Sequence, residues 1–464
     1  MCYSFRMKFG PLSFYRRALC IALPVMAQLL IQNLVSLIDN FMVAGLGDTK
    51  MSGVNVAGQV NFIFIVLVLN VFCAGAGIFM SQFKGAGDGE GMRQVFRYKL
   101  IVCLAGAAAW TLFCAVNPAP VLGLMVRGNA HAEPIVTQAV LYQRLIAWTW
   151  IPMAVSAAVT SSLRETGEVR VPLIISVAAT IVNTCGNFIL IYGNFGAPRL
   201  EVAGAAVATI IARAAEMLAF IAFLAVRRPE FATRPADLLK VRLSLAGTIL
   251  AKSAQIAVAE MTWVVSETIA TAVYNGRGGA EIVSGMAAGF TIANLFFVSF
   301  SGIFTATGVI IGTTLGAGRL DEARRQKGWI VRGAAVFGIC FALLGFLSAL
   351  LIPLVYGSLS GGARSVARGI VCVAAAYMVV WCVVNAQFAV SRTGGDTAMG
   401  VIVDSTGTLM MFLPAMVLLA RFTALGPVAM YAIAKLSDFY KMTVAALWLR
   451  KERWLRNLAQ ENAA

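Results

Sequence analysis

An all-α membrane protein is what three features of this 464-residue chain imply: twelve transmembrane helices in two pseudo-symmetric six-helix lobes around a central cleft. Hydrophobic residues make up 59% of the chain and charged ones 12%, about half the ~25% charge of an ordinary soluble domain. Apolar runs of about 20 residues, long enough to cross ~30 Å of hydrocarbon as helices, recur throughout. Short signatures repeat at offsets of 231 and 228 residues, which divides the runs into two copies of one unit.

The first run, 18–44, follows a short basic start; it is too long and too poor in a small-residue cleavage site for a removable signal peptide, so it reads as helix 1. The second, 54–80, leads into "SQFKGAGD", and the third spans 98–122. The fourth, 135–161, runs into "SSLRETGE", the fifth, 169–193, carries "VNTCGNFILIYG", and the sixth, 203–226, opens on "GAAVAT". Residues 227–243, charged and holding Pro229 and Pro235, form a cytoplasmic linker between an N-lobe, 1–226, and a C-lobe, 244–464. Six further runs follow at 244–273, 282–314, 328–354, 364–390, 397–420 and 426–449.

The repeats support that division. "AG" at Ala57–Gly58 recurs at Ala288–Gly289, and "GAG" at Gly85–Gly87 recurs at Gly316–Gly318. "RETGE" at Arg164–Glu168 returns as "RTGGD" at Arg392–Asp396, and "GAAVATIIARAAE" from Gly204 returns as "GPVAMYAIAKLSD" from Gly426. Six helices per copy is an even number, so both copies enter from one side and are related by an axis along the membrane normal.

The net charge of +16 is topological. The tails and even loops hold 25 Lys and Arg against 7 on the odd loops, which places both termini in the cytoplasm by the positive-inside rule. Basic residues distributed this way answer to insertion and the anionic inner leaflet, not to nucleic acid. Nine scattered cysteines form no C-x-x-C pair and no cluster with the single His131, so disulfide and tight metal sites are not expected. No His pair or Gly-x-Ser-x-Gly appears, which argues against an intramembrane enzyme.

Residues inside the runs carry the functional signal, because a charge at mid-membrane costs roughly 2.5–3.5 kcal/mol on insertion scales. Asp39 sits about six residues from the outer end of helix 1, ~9 Å below the boundary, with no basic residue within a turn. It reads either as a snorkelling or capping residue near the rim, or as a cleft-facing carboxylate that takes a proton or sodium ion from outside. Asn183 and Asn187 lie one turn apart on one face of helix 5, and Thr209 stands in helix 6; the two Asn equally fit inter-helix glue. Glu260 and Glu267 are seven residues apart on one face of helix 7, ~10 Å along the axis, as successive cation stations or with one answering Lys252. Asp404 in helix 11 has low neighbouring charge and is expected to face a cavity. Arg213 with Glu216, and Lys435 with Asp438, are self-neutralised i, i+3 pairs that read as scaffold, and Arg144 reads as a snorkelling residue. Gln28, Asn33, Gln59, Asn61, Asn70, Asn294, Asn385 and Gln387, with Met, Phe and Trp between, are the uncharged cleft candidates.

The motifs in order, from "ALPVMAQLL" and "LIDNFMVAGLG" through "SQFKGAGD", "SSLRETGE", "GAAVAT" and "AEMTW" to "SRTGGDT", resemble bacterial multidrug and toxic compound extrusion (MATE) transporters over almost the whole chain. The resemblance implies a two-lobe exporter that exchanges H⁺ or Na⁺ for cationic or amphipathic compounds, with no cofactor beyond the coupling ion. It further implies that Asp39 is the N-lobe coupling residue, with polar neighbours on helices 5 and 6, and that Glu260 and Asp404 serve a C-lobe cation site; Glu267 has no counterpart. Where many members carry an Asp, this chain has Asn187, which lowers the negative charge available to a hard cation and favours protonation of Asp39. The expected setting is the inner membrane, as a monomer whose partners are lipid and small molecules. A lipid or lipid-linked oligosaccharide flippase of the same plan is the alternative; an anionic head group calls for Arg or Lys in the cleft, whereas the embedded candidates here are mainly acidic.

Overall fold

The computed structural model describes residues 9–127, 132–357 and 359–461, and every regular element among them is helical. Eleven helices are long and apolar enough to cross a membrane: α1 (Leu12–Ala44), α2 (Asp48–Ala86), α3 (Gly89–Val116), α4 (Ala132–Glu165), α5 (Arg170–Tyr192), α6 (Glu201–Arg227), α7 (Leu243–Asn275), α8 (Ala280–Gly316), α9 (Leu320–Val355), α10 (Gly361–Thr393) and α11 (Gly400–Phe422). Each overlaps one of the first eleven predicted runs. His131 lies outside the described residues.

The twelfth run is not one continuous helix. α12 (Pro427–Ala434) and α13 (Ser437–Leu449) are separated by a turn at Lys435–Leu436. Nothing in the local sequence breaks a helix there, and the turn coincides with the residue whose ammonium reaches Glu267 on α7, 2.9 Å away. The third run also stops early: Pro118 offers no backbone N–H and disfavours helical geometry at Asn117, so α3 ends at Val116 and a short helix, Ala119–Met125, follows. Two transmembrane helices contain π-helical turns, Ile65–Asn70 in α2 and Gly400–Asp404 with Gly407–Phe412 in α11. Such turns shift side chains off the α-helical register and are frequent at functional sites.

The chain forms two compact units. The first comprises Ala27–Met80 and Asp88–Ser253; the second takes the residues up to Met26, Ser81–Gly87 and Ala254–Ala464. The divisions fall inside α1, α2 and α7 and not in the linker 227–243, so compactness partitions the chain differently from the sequence repeat.

Packing within each unit explains the difference. In the second unit the two repeated "GAG" stretches meet: the end of α2 lies so close to the end of α8 that a Cβ on Gly316 would overlap the Gln82 carbonyl. Gln82 is buried there, donating to the Thr393 carbonyl at 2.9 Å and accepting from the Leu458 backbone N–H at 2.7 Å. Trp454, also buried, and Asn457, which donates to the Gly316 carbonyl at 3.2 Å, complete this packing. Overpacking a close helix contact costs about 1–3 kcal/mol. Gly316→Ala is therefore expected to lower the thermal unfolding midpoint of the purified protein, whereas Gly308→Ala, which meets open space on the same helix, leaves it unchanged.

In the first unit the linker is strapped to α3. Arg97 donates to Thr233 Oγ1 at 2.9 Å and to the Lys240 carbonyl at 3.0 Å, Gln94 Oε1 accepts from the Arg242 backbone N–H at 2.9 Å, and the rings of Phe96 and Phe231 lie 5.1 Å apart. The predicted loop is thus a fixed strap, and Arg97 is a buried anchor. The unit's interior also holds a buried ion pair: Lys99 on α3, with no exposed surface, pairs with Glu165 on α4 and donates to Ser161 Oγ at 2.9 Å.

Candidate functional site

In the first unit, α1, α5 and α6 bring the predicted N-lobe residues together. Gly204 allows α6 to start against the Leu190 backbone, where a Cβ would have no room, and this close approach sets the face of α5 bearing Asn183 and Asn187 beside α6. Asn187 Nδ2 donates to Asp39 Oδ1 at 2.9 Å, and Asn183 Nδ2 donates to Thr209 Oγ1 at 3.2 Å. Asp39 is half-buried and makes no ion pair among the described residues. Asn187 is 2% exposed, and its Oδ1 is buried without a hydrogen-bond partner. A carboxylate and an orphaned amide oxygen on neighbouring groups form an acceptor-rich, donor-poor corner. Such a corner has the chemistry to receive a proton or a small cation.

Two groups from other helices face this corner. Tyr142 on α4 and Arg213 on α6 are close enough to interact electrostatically with Asp39. Arg213 is engaged elsewhere, donating to Glu216 Oε2 at 2.8 Å as the predicted i, i+3 pair. The guanidinium therefore influences Asp39 from a distance without clasping it.

Several cleft candidates have other roles. Gln28, 3% exposed, accepts from Arg164 at 2.6 Å and donates to Ser176 Oγ at 2.7 Å, and Ser176 donates on to Glu216 Oε1 at 2.8 Å. This buried relay from α1 through α4 and α5 to α6 is scaffold, which corrects the reading of Gln28 as a substrate contact. Asn61 is corrected likewise: it forms a reciprocal pair with Gln143 at 3.0 and 2.7 Å in the interior. Asn385 donates to the Trp381 carbonyl of its own helix at 2.8 Å, and Gln387 is buried. Asn33, Gln59, Asn70, Asn294 and Arg144 are exposed.

In the second unit the C-lobe acids are met by lysines. Glu267 Oε1 is 2.9 Å from Lys435 Nζ, and Asp404 Oδ1 is 2.7 Å from Lys441 Nζ. Asp404 is therefore not a carboxylate of low neighbouring charge, and Glu267 is answered by Lys435. The expected Lys435–Asp438 pair is also replaced: Asp438 accepts from Trp381 Nε1 at 2.7 Å and lies 3.6 Å from Lys441. Lys435 lies at the turn between α12 and α13. Glu260 alone of the three predicted acids makes no hydrogen bond or ion pair among the described residues; Arg392 and Asp404 are the charges that act on it. Tyr142 and Lys441 were missed in the sequence. Lys441 had a legible signal, being an embedded base three residues after Asp438.

The comparison with known proteins follows this geometry. A family model described as MatE matches residues 24–189, the stretch that contains Asp39, Asn183 and Asn187. A probable multidrug resistance protein NorM of Thermotoga maritima is 25% identical over 331 residues, covering 70% of this chain and 69% of that protein. A second NorM, from Bradyrhizobium diazoefficiens, is 26% identical over 341 residues, covering 73% and 69%. These matches make the chain similar to MATE proteins. Its fold agrees with solved MATE structures. A MATE in complex with MaL6 superposes with a TM-score of 0.82 at 19% identity, over 94% of this chain and 96% of that one. An outward-facing multidrug resistance MATE transporter of the MOP superfamily gives 0.82 at 18% identity over 96% of each. Among the described residues this fold has eleven helices long and apolar enough to span and a twelfth run divided by a two-residue turn.

Proposed function

We propose that this protein is a secondary active multidrug efflux transporter of the inner membrane, exchanging H⁺ or Na⁺ for cationic or amphipathic compounds by alternating access of its two repeats, 1–226 and 244–464. The observation that carries the reading is the Asp39–Asn187 corner, a carboxylate in a transmembrane helix held by one neutral donor beside an unpartnered amide oxygen. With Asp39 charged, occlusion from water is costly, and the state open to the outside is favoured. Uptake of a cation neutralises the corner, lowers the cost of occlusion and shifts the two-state equilibrium toward release on the other side. Charge on the cargo and charge on the coupling ion then compete for one acidic region. The curated relatives named as multidrug resistance proteins support the cargo class.

The single carboxylate supports a proton as the coupling ion, because Asn187 contributes no charge to hold a hard cation. No cofactor is required in this scheme, both termini lie in the cytoplasm, and the protein acts as a monomer. The mainly acidic embedded groups favour cationic cargo over the anionic head groups of a flippase. The test is reconstitution in liposomes with a cationic dye, with pH and Na⁺ gradients imposed separately. Dye movement driven by one gradient, and absent without any, is the expected result; movement independent of both gradients would end the antiport reading.

A further inference from the structure

The second unit contains a continuous charge network that antiport at Asp39 does not use. Lys435, at the break between α12 and α13, has a side chain only 14% exposed. Its Nζ is 2.9 Å from Glu267 Oε1 and stands 4.5, 5.6 and 6.0 Å from the ring centroids of Phe412, Tyr431 and Trp381. A carboxylate and three aromatic faces around one point make a receptor for a cation, and here the cation is part of the chain. Trp381 continues the network through its indole N–H to Asp438, and Lys441 bridges Asp438 to Asp404, also donating to Thr408 Oγ1 at 2.9 Å. Asp404 and Thr408, one turn apart on α11, share one ammonium.

We propose that Lys435 and Lys441 are built-in counter-cations that close the Glu267 and Asp404 positions to a mobile one, and so decide which ions this transporter can use. This rests on the antiport reading for its consequence, that exchange is left to Asp39 and Glu260, but the occupancy claim for Glu267 and Asp404 stands on the second unit alone. A tethered ammonium is present at an effective concentration of order millimolar or above whatever the salt outside, and it never dissociates into bulk. A free Na⁺ must displace it and also leave an ammonium buried without its carboxylate, which costs several kcal/mol. The same occupancy makes the Phe412–Tyr431–Trp381 box unavailable to a cationic guest.

The test uses full-length protein in detergent carrying Asp39→Asn, which removes the first unit's acid so that failure of the antiport reading cannot affect the outcome. Unfolding midpoints are compared in NaCl and in choline chloride of equal ionic strength. The parent is expected to show no Na⁺-specific shift. Adding Lys435→Met uncovers Glu267 and is expected to create a Na⁺-specific rise of roughly 2 °C or more, which the further change Glu267→Gln removes. Lys441→Met with Asp404→Asn gives an independent arm. A Na⁺-specific rise in the parent that Glu267→Gln or Asp404→Asn abolishes would overturn the proposal without any lysine variant having to fold. The absence of a new rise in both folded lysine variants would overturn it as well.

Discussion

Asp39→Asn is expected to reduce gradient-driven dye movement in proteoliposomes to the leak of protein-free vesicles, while the variant inserts and unfolds near the wild-type temperature. The substitution is close to isosteric, and the new amide oxygen still accepts from Asn187 Nδ2, so the hydrogen bond at 2.9 Å survives. What disappears is the charge. An amide neither binds a proton near neutral pH nor attracts a cation, so the corner is permanently in its neutral condition and one arm of the conformational equilibrium is lost. Asn187→Leu is the graded counterpart: it leaves the carboxylate but removes its donor and the orphaned oxygen, and should slow transport several-fold without abolishing it. The check is dye flux normalised to reconstituted protein. Wild-type flux in Asp39→Asn would remove the residue from the mechanism.

Lys99→Met is expected to have the largest effect on stability. Lys99 has no exposed surface, and its ammonium is divided among Glu165, Ser161 and Ser162. Methionine fills much of the same volume, so packing loss is small and the main change is an unpaired carboxylate. Breaking one side of a buried pair typically costs about 3–5 kcal/mol, whereas replacing both sides with neutral groups is often close to neutral. Lys99→Met/Glu165→Gln should therefore recover most of the stability lost in the single variant. A thermal-unfolding double-mutant cycle reads this coupling directly. If the double variant is as unstable as Lys99→Met alone, the pair is not what Lys99 stabilises.

The spans were legible because hydropathy and length are local properties, and eleven helices overlap their runs. The pairing of Asp39 with polar neighbours on helices 5 and 6 came from the family resemblance. The residues alone gave only polar positions in apolar runs and a common face for the two Asn, and the structure supplies the pairs Asn187–Asp39 and Asn183–Thr209. Pairings between distant helices were not legible. Gln28 and Asn61 look like free amides in the chain, and only the fold supplies Arg164, Ser176 and Gln143 as partners. The turn at Lys435 was hidden too, since no Pro or Gly marks it in the local sequence. Asp404 was misjudged because its partner lies 37 residues later, on another helix.

Gln82 has a consequence for biosynthesis. Its carboxamide is satisfied by Thr393 and by the backbone of Leu458, 311 and 376 residues further along the chain. At a ribosomal speed of ~5–20 residues per second, the wait for Leu458 is roughly 20–75 s. The end of α2 thus stays open through nearly all of translation, and the second unit matures only when the ribosome is almost finished, leaving Gln82 exposed to chaperones and proteases in any nascent chain that stalls short of Leu458.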